Sequence, residues 1–389
     1  MRPDCRTEFP LLHRAVAPVL AWTRETALPF WGSVGVDDNR GGFHERLDLS
    51  GRPVLNVPKR VMVQGRQLYV YSHAALLGWY GDGKRLADRC VDHLLSSFYQ
   101  PDRKPGWIYA LAADGTIADP MRDTYGHGFV LLGLAWYYRL TRDAQILRVI
   151  DHTIQFLDEG LASDHGGYRD AEPAPDAIRR QNPHMHLLEA FLALYETTGR
   201  NDHRDHALKM FELFATRFFQ DASGTLREYF TNELVPQGGQ KGDIVEPGHH
   251  YEWIWLLRQL QRLTGEDVDA YVSALYKHAD TFGWDGEGLI VDELGPAGEV
   301  ITASRRCWPL TEAAKANIAE GERARGTFDE KAAHCFTSLA GHFLQRPVPA
   351  GWMDRIGASG EPMAQFMPAS TLYHLFCAIA EAARVTKAA

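Results

Sequence analysis

Histidines and carboxylates recur in this chain at spacings that let them act together. His186 precedes Glu189 by three residues, His249 precedes Glu252 by three, and Trp308 precedes Glu312 by four. Residues three or four apart share one face of a helix, so each pair can point into one cavity. His374 sits in a further apolar stretch, TLYHLF, and Arg66, Tyr125 and Asn182 add polar groups near the starts of other apolar segments. A neutral imidazole is a competent base near pH 7 and its protonated form a competent acid, each worth roughly 10²–10⁴-fold in rate. The guanidinium of Arg66 stays charged and offers several donors to a developing oxyanion. Histidines, carboxylates, an arginine and tryptophans around one pocket also suit a sugar, because rings cover C–H faces while polar groups pair with hydroxyls.

Each of these residues has a plainer reading. A single histidine on an apolar helix is often a hydrogen-bonded core residue, and that reading is favoured for His127 and His184, with His250 and His73 taken as structural or exposed. Glu189, Glu252 and Glu312 can brace helices, and Trp308 can be core. The convergence of His186, His249 and His374 on equivalent positions favours chemistry. Paired carboxylate–histidine metal sites in helical bundles use Glu-x-x-His, and the order here is reversed, so no metal is expected. Within EPGHHYEW (246–253), Pro-Gly starts a helix and puts His249 in its first turn, where the helix dipole disfavours imidazolium. Glu252 can orient this ring or accept a sugar hydroxyl; a direct bond to it would raise the pKa instead.

The elements that must carry these groups form a repeat. Glycine-led stretches with strand character begin at Gly41, Gly106, Gly166, Gly224, Gly288 and Gly351, and most read as a short strand, a turn and a second extended piece. Between them lie pairs of segments with helical period, 60–80 with 84–99, 124–140 with 143–158, 184–198 with 201–219, 249–263 with 267–282, and 308–320 with 327–345. One helix (9–28) precedes the first such stretch and one (371–384) follows the last. The pattern predicts an all-α closed toroid of six helix pairs, an (α/α)6 barrel over residues 1–389, with short hairpins at one end. The more apolar helix of each pair is expected in the inner ring.

Composition narrows the function. Net charge is −9 with no long basic run, which removes the footprint of a nucleic-acid binder. Cys5, Cys90, Cys307, Cys335 and Cys377 are odd in number and lack C-x-x-C spacing, which points to a reducing compartment. The first twenty residues carry an acidic residue and prolines in place of a secretory core, and no apolar stretch is long enough to span a bilayer. A cytoplasmic protein without nucleic-acid or membrane partners is expected; no motif specifies oligomeric state, and a homodimer is compatible with the sequence.

The segments QGRQLYVYSHAA (64–75), DTYGHGFVLLGLAW (123–136), RQNPHMHLLEAFLALYETTG (180–199), EPGHHYEWIWLL (246–257), RRCWPLTEAAKA (305–316) and TLYHLF (371–376) together resemble the N-acylglucosamine 2-epimerase superfamily. The resemblance spans nearly the whole chain. It implies an (α/α)6 barrel and cofactor-free, metal-independent proton transfer at a sugar carbon next to a carbonyl. On matching positions it assigns Arg66, Tyr125, Asn182, His186, His249, Glu252, Trp308, Glu312 and His374 to the site. His249 and His374 are then the acid/base pair, and His186 assists ring opening or the intermediate. Some isomerase relatives carry an arginine before the PGH stretch, where this chain has Lys241 in GGQKGDIVE. The expected reaction interconverts D-mannose and D-fructose through a cis-enediol. A 2-epimerase is the alternative, or an isomerase of a substituted hexose whose phosphate meets Lys59 or Arg305. A glycoside hydrolase would need two carboxylates, such as Glu252 and Glu312, and would leave the histidines unexplained.

Overall fold

The computed structural model describes residues 9–324 and 326–387, so Cys5 and the first eight residues of the N-terminal stretch lie outside the described residues. Six inner helices run in one direction: α2 (Val61–Leu76), α4 (Thr124–Thr141), α6 (Asn182–Thr198), α8 (Pro247–Thr264), α10 (Trp308–Arg323) and α12 (Thr371–Thr386). Six outer helices alternate with them: α1 (Pro10–Trp22), α3 (Gly83–His93), α5 (Ala144–Phe156), α7 (Asn201–Leu213), α9 (Asp269–Phe282) and α11 (Phe328–His342). Each inner helix packs on the next, α12 packs back on α2, and α1 closes the outer ring against α11 and α12. The expected (α/α)6 barrel is therefore the observed fold. Four outer helices run on into a π-helical turn, at Thr23–Ala27, Leu94–Phe98, Leu157–Leu161 and Phe214–Phe218, which helical periodicity in the sequence does not reveal.

Local sequence sets where the inner helices start and stop. Pro183, Pro247 and Pro309 occupy first-turn positions, where a missing N–H costs nothing. The Asp123 carboxylate accepts the Gly126 N–H at the head of α4. Gly199 and Gly265 end α6 and α8 in the left-handed conformation, at φ 68° and 84°. Helices α2 and α4 touch backbone to backbone: a Cβ at Gly65 would fall 2.5 Å from the Phe129 carbonyl oxygen, and one at Gly133 would fall 2.6 Å from that of Gly65. No described helix is long and apolar enough to cross a membrane.

The glycine-led stretches form the expected short hairpins, Ala110–Leu111 pairing with Ile117–Asp119 and Glu293–Leu294 with Val300–Thr302, and they also pair between repeats. Strand residues just before one inner helix pair with the first strand of the next repeat: Lys59–Arg60 with Ala110–Leu111, Arg122–Asp123 with Ala171–Glu172, and Arg179–Arg180 with Tyr229–Phe230. Val245 bridges Leu294, Arg305–Arg306 pairs with Arg355–Ile356, and Arg46–Asp48 closes the circle on Phe366–Pro368. Two-residue strands cannot stand as independent hairpins, so their edges are satisfied by the neighbouring repeat. The result is a crown at the end where the inner helices begin.

Three inner-ring histidines fasten this crown to the barrel. The Nε2 atoms of His127, His184 and His250 accept the backbone N–H groups of Trp107, Tyr168 and Leu226 at 3.1, 3.0 and 3.1 Å. His127 and His184 each hold a carbonyl one turn back with Nδ1, at 2.7 and 3.2 Å. Burial drives the three rings down to about 4, 3 and 3, which keeps them neutral and able to accept. The structural reading of His127, His184 and His250 agrees with this geometry. His73 lies half-buried, stacked on Trp136 at a centroid distance of 3.8 Å.

Candidate active site

Because the inner helices are parallel, their first turns meet under the crown around a cavity of about 330 Å³, near the small end of the roughly 300–1,000 Å³ range of ligand pockets. Arg66, Tyr125, Asn182, His186, His249, Glu252, Trp308 and His374 line it, joined by Glu246, Arg306, Asp354, Phe366, Pro368, Ser370 and Thr371. Trp308 stands between two imidazoles, its ring centroid 5.1 Å from that of His249 and 5.4 Å from that of His374. Gly248 makes this possible, since a Cβ there would come within 2.6 Å of the Trp308 ring.

The two flanking histidines differ in charge state. His249 Nδ1 donates to Glu228 at 3.0 Å and lies 3.8 Å from Glu246. Burial alone would lower its pKa, but the Glu228 and Glu246 carboxylates outweigh burial and raise it to about 9. Its other nitrogen lies 3.4 Å from the Asn182 amide. His374 Nδ1 donates to Glu312 at 2.8 Å. Burial, with Arg66, Lys315 and His186 nearby, holds it well below 6.5. His374 is thus held neutral and His249 cationic at pH 7.

This corrects the expectation that the helix dipole keeps His249 neutral: two buried carboxylates act more strongly than partial charges at a helix end. Glu252 does not orient His249 either. Both its carboxyl oxygens lack a hydrogen-bond partner. Burial and then the Glu312 carboxylate raise its pKa well above the usual range, so it faces the cavity as a neutral acid.

Glu189 and Glu312, expected to bind substrate, lie behind the histidines. Each sits about a turn deeper in its helix than the residues that face the cavity. Glu189 accepts from His186 Nδ1 at 3.1 Å and from the Tyr373 hydroxyl at 2.5 Å, and it borders a larger cavity of about 810 Å³ at the opposite end of the barrel. Burial drives His186 down to about 4 against the pull of Glu189, leaving a neutral ring. Arg66 donates to the Tyr125 hydroxyl at 2.8 Å and to the Ser370 carbonyl at 3.1 Å, and lies 4.1 Å over the Phe129 ring. Among the described residues no carboxylate forms an ion pair with it. Its charge is available to a ligand.

The sequence profile of the N-acylglucosamine 2-epimerase family matches residues 41–378. The chain belongs to this family. A Rhizobium meliloti (strain 1021) protein named mannose-6-phosphate isomerase is 33% identical over 381 residues, covering 95% of this chain and 97% of that one. D-mannose isomerase of Thermobifida fusca is 28% identical over 317 residues, 76% of each chain. Among solved structures, cellobiose 2-epimerase from Spirochaeta thermophila DSM 6192 superposes with a TM-score of 0.85 at 23% identity, over 97% of this chain and 98% of that one. The chain is accordingly an enzyme of the sugar isomerase and epimerase kind.

In this epimerase-family site, several functional neighbours escape sequence reasoning. Glu228 sits on the strand crown, distant in sequence from the helix it serves. Its counterparts elsewhere in the crown hold arginines: Glu45 binds Arg60, Asp170 binds Arg180 and Asp292 binds Arg306, each also accepting that arginine's backbone N–H. The fourth repeat has Glu246 near the place of that arginine, so Glu228 turns to His249. The motif signal was the missing arginine. Lys59 and Arg305 do not reach the cavity; both are buried, and they pair with Asp37 and Asp285 at 2.5 Å. Lys241 is exposed, 4.9 Å over the Tyr229 ring and away from the cavity lining. Arg306 does face it, held by Glu246 at 2.7 Å and Asp292 at 3.0 Å.

Among the described residues three groups bring ligand atoms within 4.8 Å of one another: His186, Glu189 and Glu252; Glu228, Glu246 and His249; and Glu252, Glu312 and His374. In two of them a cation of the protein already pairs with a would-be ligand: Arg306 lies 2.7 Å from Glu246 and Lys315 2.6 Å from Glu312.

Proposed function

We propose that the enzyme interconverts D-mannose and D-fructose without a metal or cofactor, by proton transfer through a cis-enediol. What supports this reading is a pair of imidazoles, one neutral and one cationic, that both pack against Trp308 in one small cavity. After ring opening, neutral His374 takes the C2 proton and the C2–H electrons form the C1–C2 double bond. Cationic His249 protonates the former carbonyl oxygen. The C2 hydroxyl then gives its proton back to His249 while His374 returns a proton to C1, which leaves the ketose and both histidines as they began. Arg66 stabilises negative charge on the enediol oxygens, and His186, bonded to Glu189, lies where it can serve ring opening.

A 2-epimerase uses the same residues but returns a proton to the other face of C2, and the Spirochaeta thermophila structure keeps that reading open. The name of the Rhizobium meliloti relative favours a 6-phosphate ester as a second reading. Against it, Arg306 is already neutralised by two carboxylates, one of which, Glu246, itself lines the cavity. The test is proton NMR in deuterium oxide on chelator-treated enzyme with mannose, glucose, fructose, N-acetylmannosamine and mannose 6-phosphate. Conversion of mannose to fructose supports the reading. Mannose–glucose exchange without fructose makes it an epimerase, and turnover of the phosphate ester alone overturns the free-sugar assignment.

A further inference from the structure

One buried charge has no place in the steps above. Lys315, on α10, exposes none of its surface, and a lone buried ammonium is costly unless paired. Its Nζ lies 2.6 Å from Glu312 Oε2, 3.9 Å from Cys377 Sγ and 4.0 Å over the Trp255 ring. The other oxygen of Glu312 accepts from His374 Nδ1 at 2.8 Å. Lys315, Glu312 and His374 therefore form a chain that ends at the cavity.

The two histidine–carboxylate pairs then differ in what stands behind the carboxylate. Glu228, behind His249, accepts from the neutral Gln181 amide at 3.0 Å. Glu312, behind His374, has an ammonium. A carboxylate ordinarily makes its imidazole partner easier to protonate, as it does at His249. With a cation on its far side, the same carboxylate still fixes the ring and its tautomer while its charge is cancelled.

We propose that Lys315 is a positioning residue: acting through Glu312, it lets that carboxylate orient His374 without turning the ring into a cation, and so fixes which histidine is the base. This rests on the reading of His374 as base. The charged or titratable groups around His374 are Glu312 and Lys315 from α10, Arg66 from α2, His186 and Glu189 from α6, and Glu252 from α8. Three of them, Arg66, Lys315 and His186, oppose its protonation. Arg66 serves the substrate and His186 is neutral, which leaves Lys315 as the permanent charge with no other task.

The test is an imidazole NMR titration of enzyme labelled with ¹⁵N-histidine, the His374 signal being assigned by its loss in His374→Gln. In the unaltered enzyme His374 stays neutral through the ordinary histidine range. In Lys315→Met its midpoint moves up by about one pH unit or more. The acid limb of kcat for D-mannose moves up by the same amount, while KM changes less than about threefold. A folded Lys315→Met with an unchanged His374 titration overturns the proposal. Should Lys315→Met fail to fold, Lys315→Gln is titrated in its place: a higher His374 midpoint supports the proposal and an unchanged midpoint overturns it. The titration needs no substrate, so it is separable from the functional reading, which fails if His374→Gln retains C2 exchange.

Discussion

Glu228, on the strand crown, holds His249 Nδ1 at 3.0 Å, whereas Glu252, on the histidine's own helix, makes no hydrogen bond to it. The cationic state of His249 is thus created by tertiary structure. Replacing Glu228 by Gln keeps the shape and removes the charge that raises His249 to about 9. Protonated His249 is the active form, so activity is present below its pKa and is lost as pH rises through it. In Glu228→Gln the alkaline limb of kcat moves down toward the ordinary histidine range near 6.5, moderated by Glu246. The expected loss is about tenfold at pH 8 and little at pH 6, read from a kcat profile across that range. An unmoved alkaline limb would show that another group is the acid.

Arg66 meets the cavity with its charge unspent on any described carboxylate, its donors resting on Tyr125 and the Ser370 carbonyl. Its interaction with the enediol oxygens exists in the transition state more than in the bound sugar. Arg66→Ala is expected to lower kcat by about 10²–10³-fold while KM moves only a few-fold. Steady-state kinetics on D-mannose decide the matter: a variant with near-native kcat and a greatly raised KM would make Arg66 a binding residue only.

His250 and His249 are neighbours in sequence with unlike tasks. His250 accepts the Leu226 N–H at 3.1 Å inside the core. His250→Ala leaves that N–H buried without a partner and opens a void, so a loss of about 1–3 kcal/mol is expected from the hydrogen bond alone. Urea denaturation reads it. Both pH limbs of kcat should stay where they are, because His250 touches neither carboxylate pair. A shifted limb would mean that the crown's attachment tunes the acid.

The same pair shows what the sequence makes legible. The repeat was readable because six apolar helices of one period begin after six glycine-led stretches, and burial in a closed ring demands that pattern. Within each helix, spacing of three and four found the faces that carry His186, His249 and Trp308. Depth along the helix was not readable: Glu189 and Glu312 share a face with cavity residues yet sit a turn further in, behind the rings they bond. Nor was the charge state of His249, since Glu228 is a loop residue brought there by pairing between repeats. Local spacing specifies a face, whereas a pKa depends on every charge that the closed ring brings together.

Gly248 offers the last test, because it acts on geometry without touching charge. A Cβ at this position would lie 2.6 Å from the Trp308 ring and 3.1 Å from Pro309. Gly248 is helical, so alanine costs no backbone strain and slightly favours the helix. The ring must therefore move, and the imidazoles of His249 and His374 are its ring neighbours in the cavity. A displacement of about 1 Å between reacting groups costs on the order of 10²-fold in rate. Gly248→Ala should keep or raise the melting temperature, lower kcat by about that factor and leave both pH limbs unshifted. Native turnover in a well-folded Gly248→Ala would show that Trp308 does not set the separation of the two histidines.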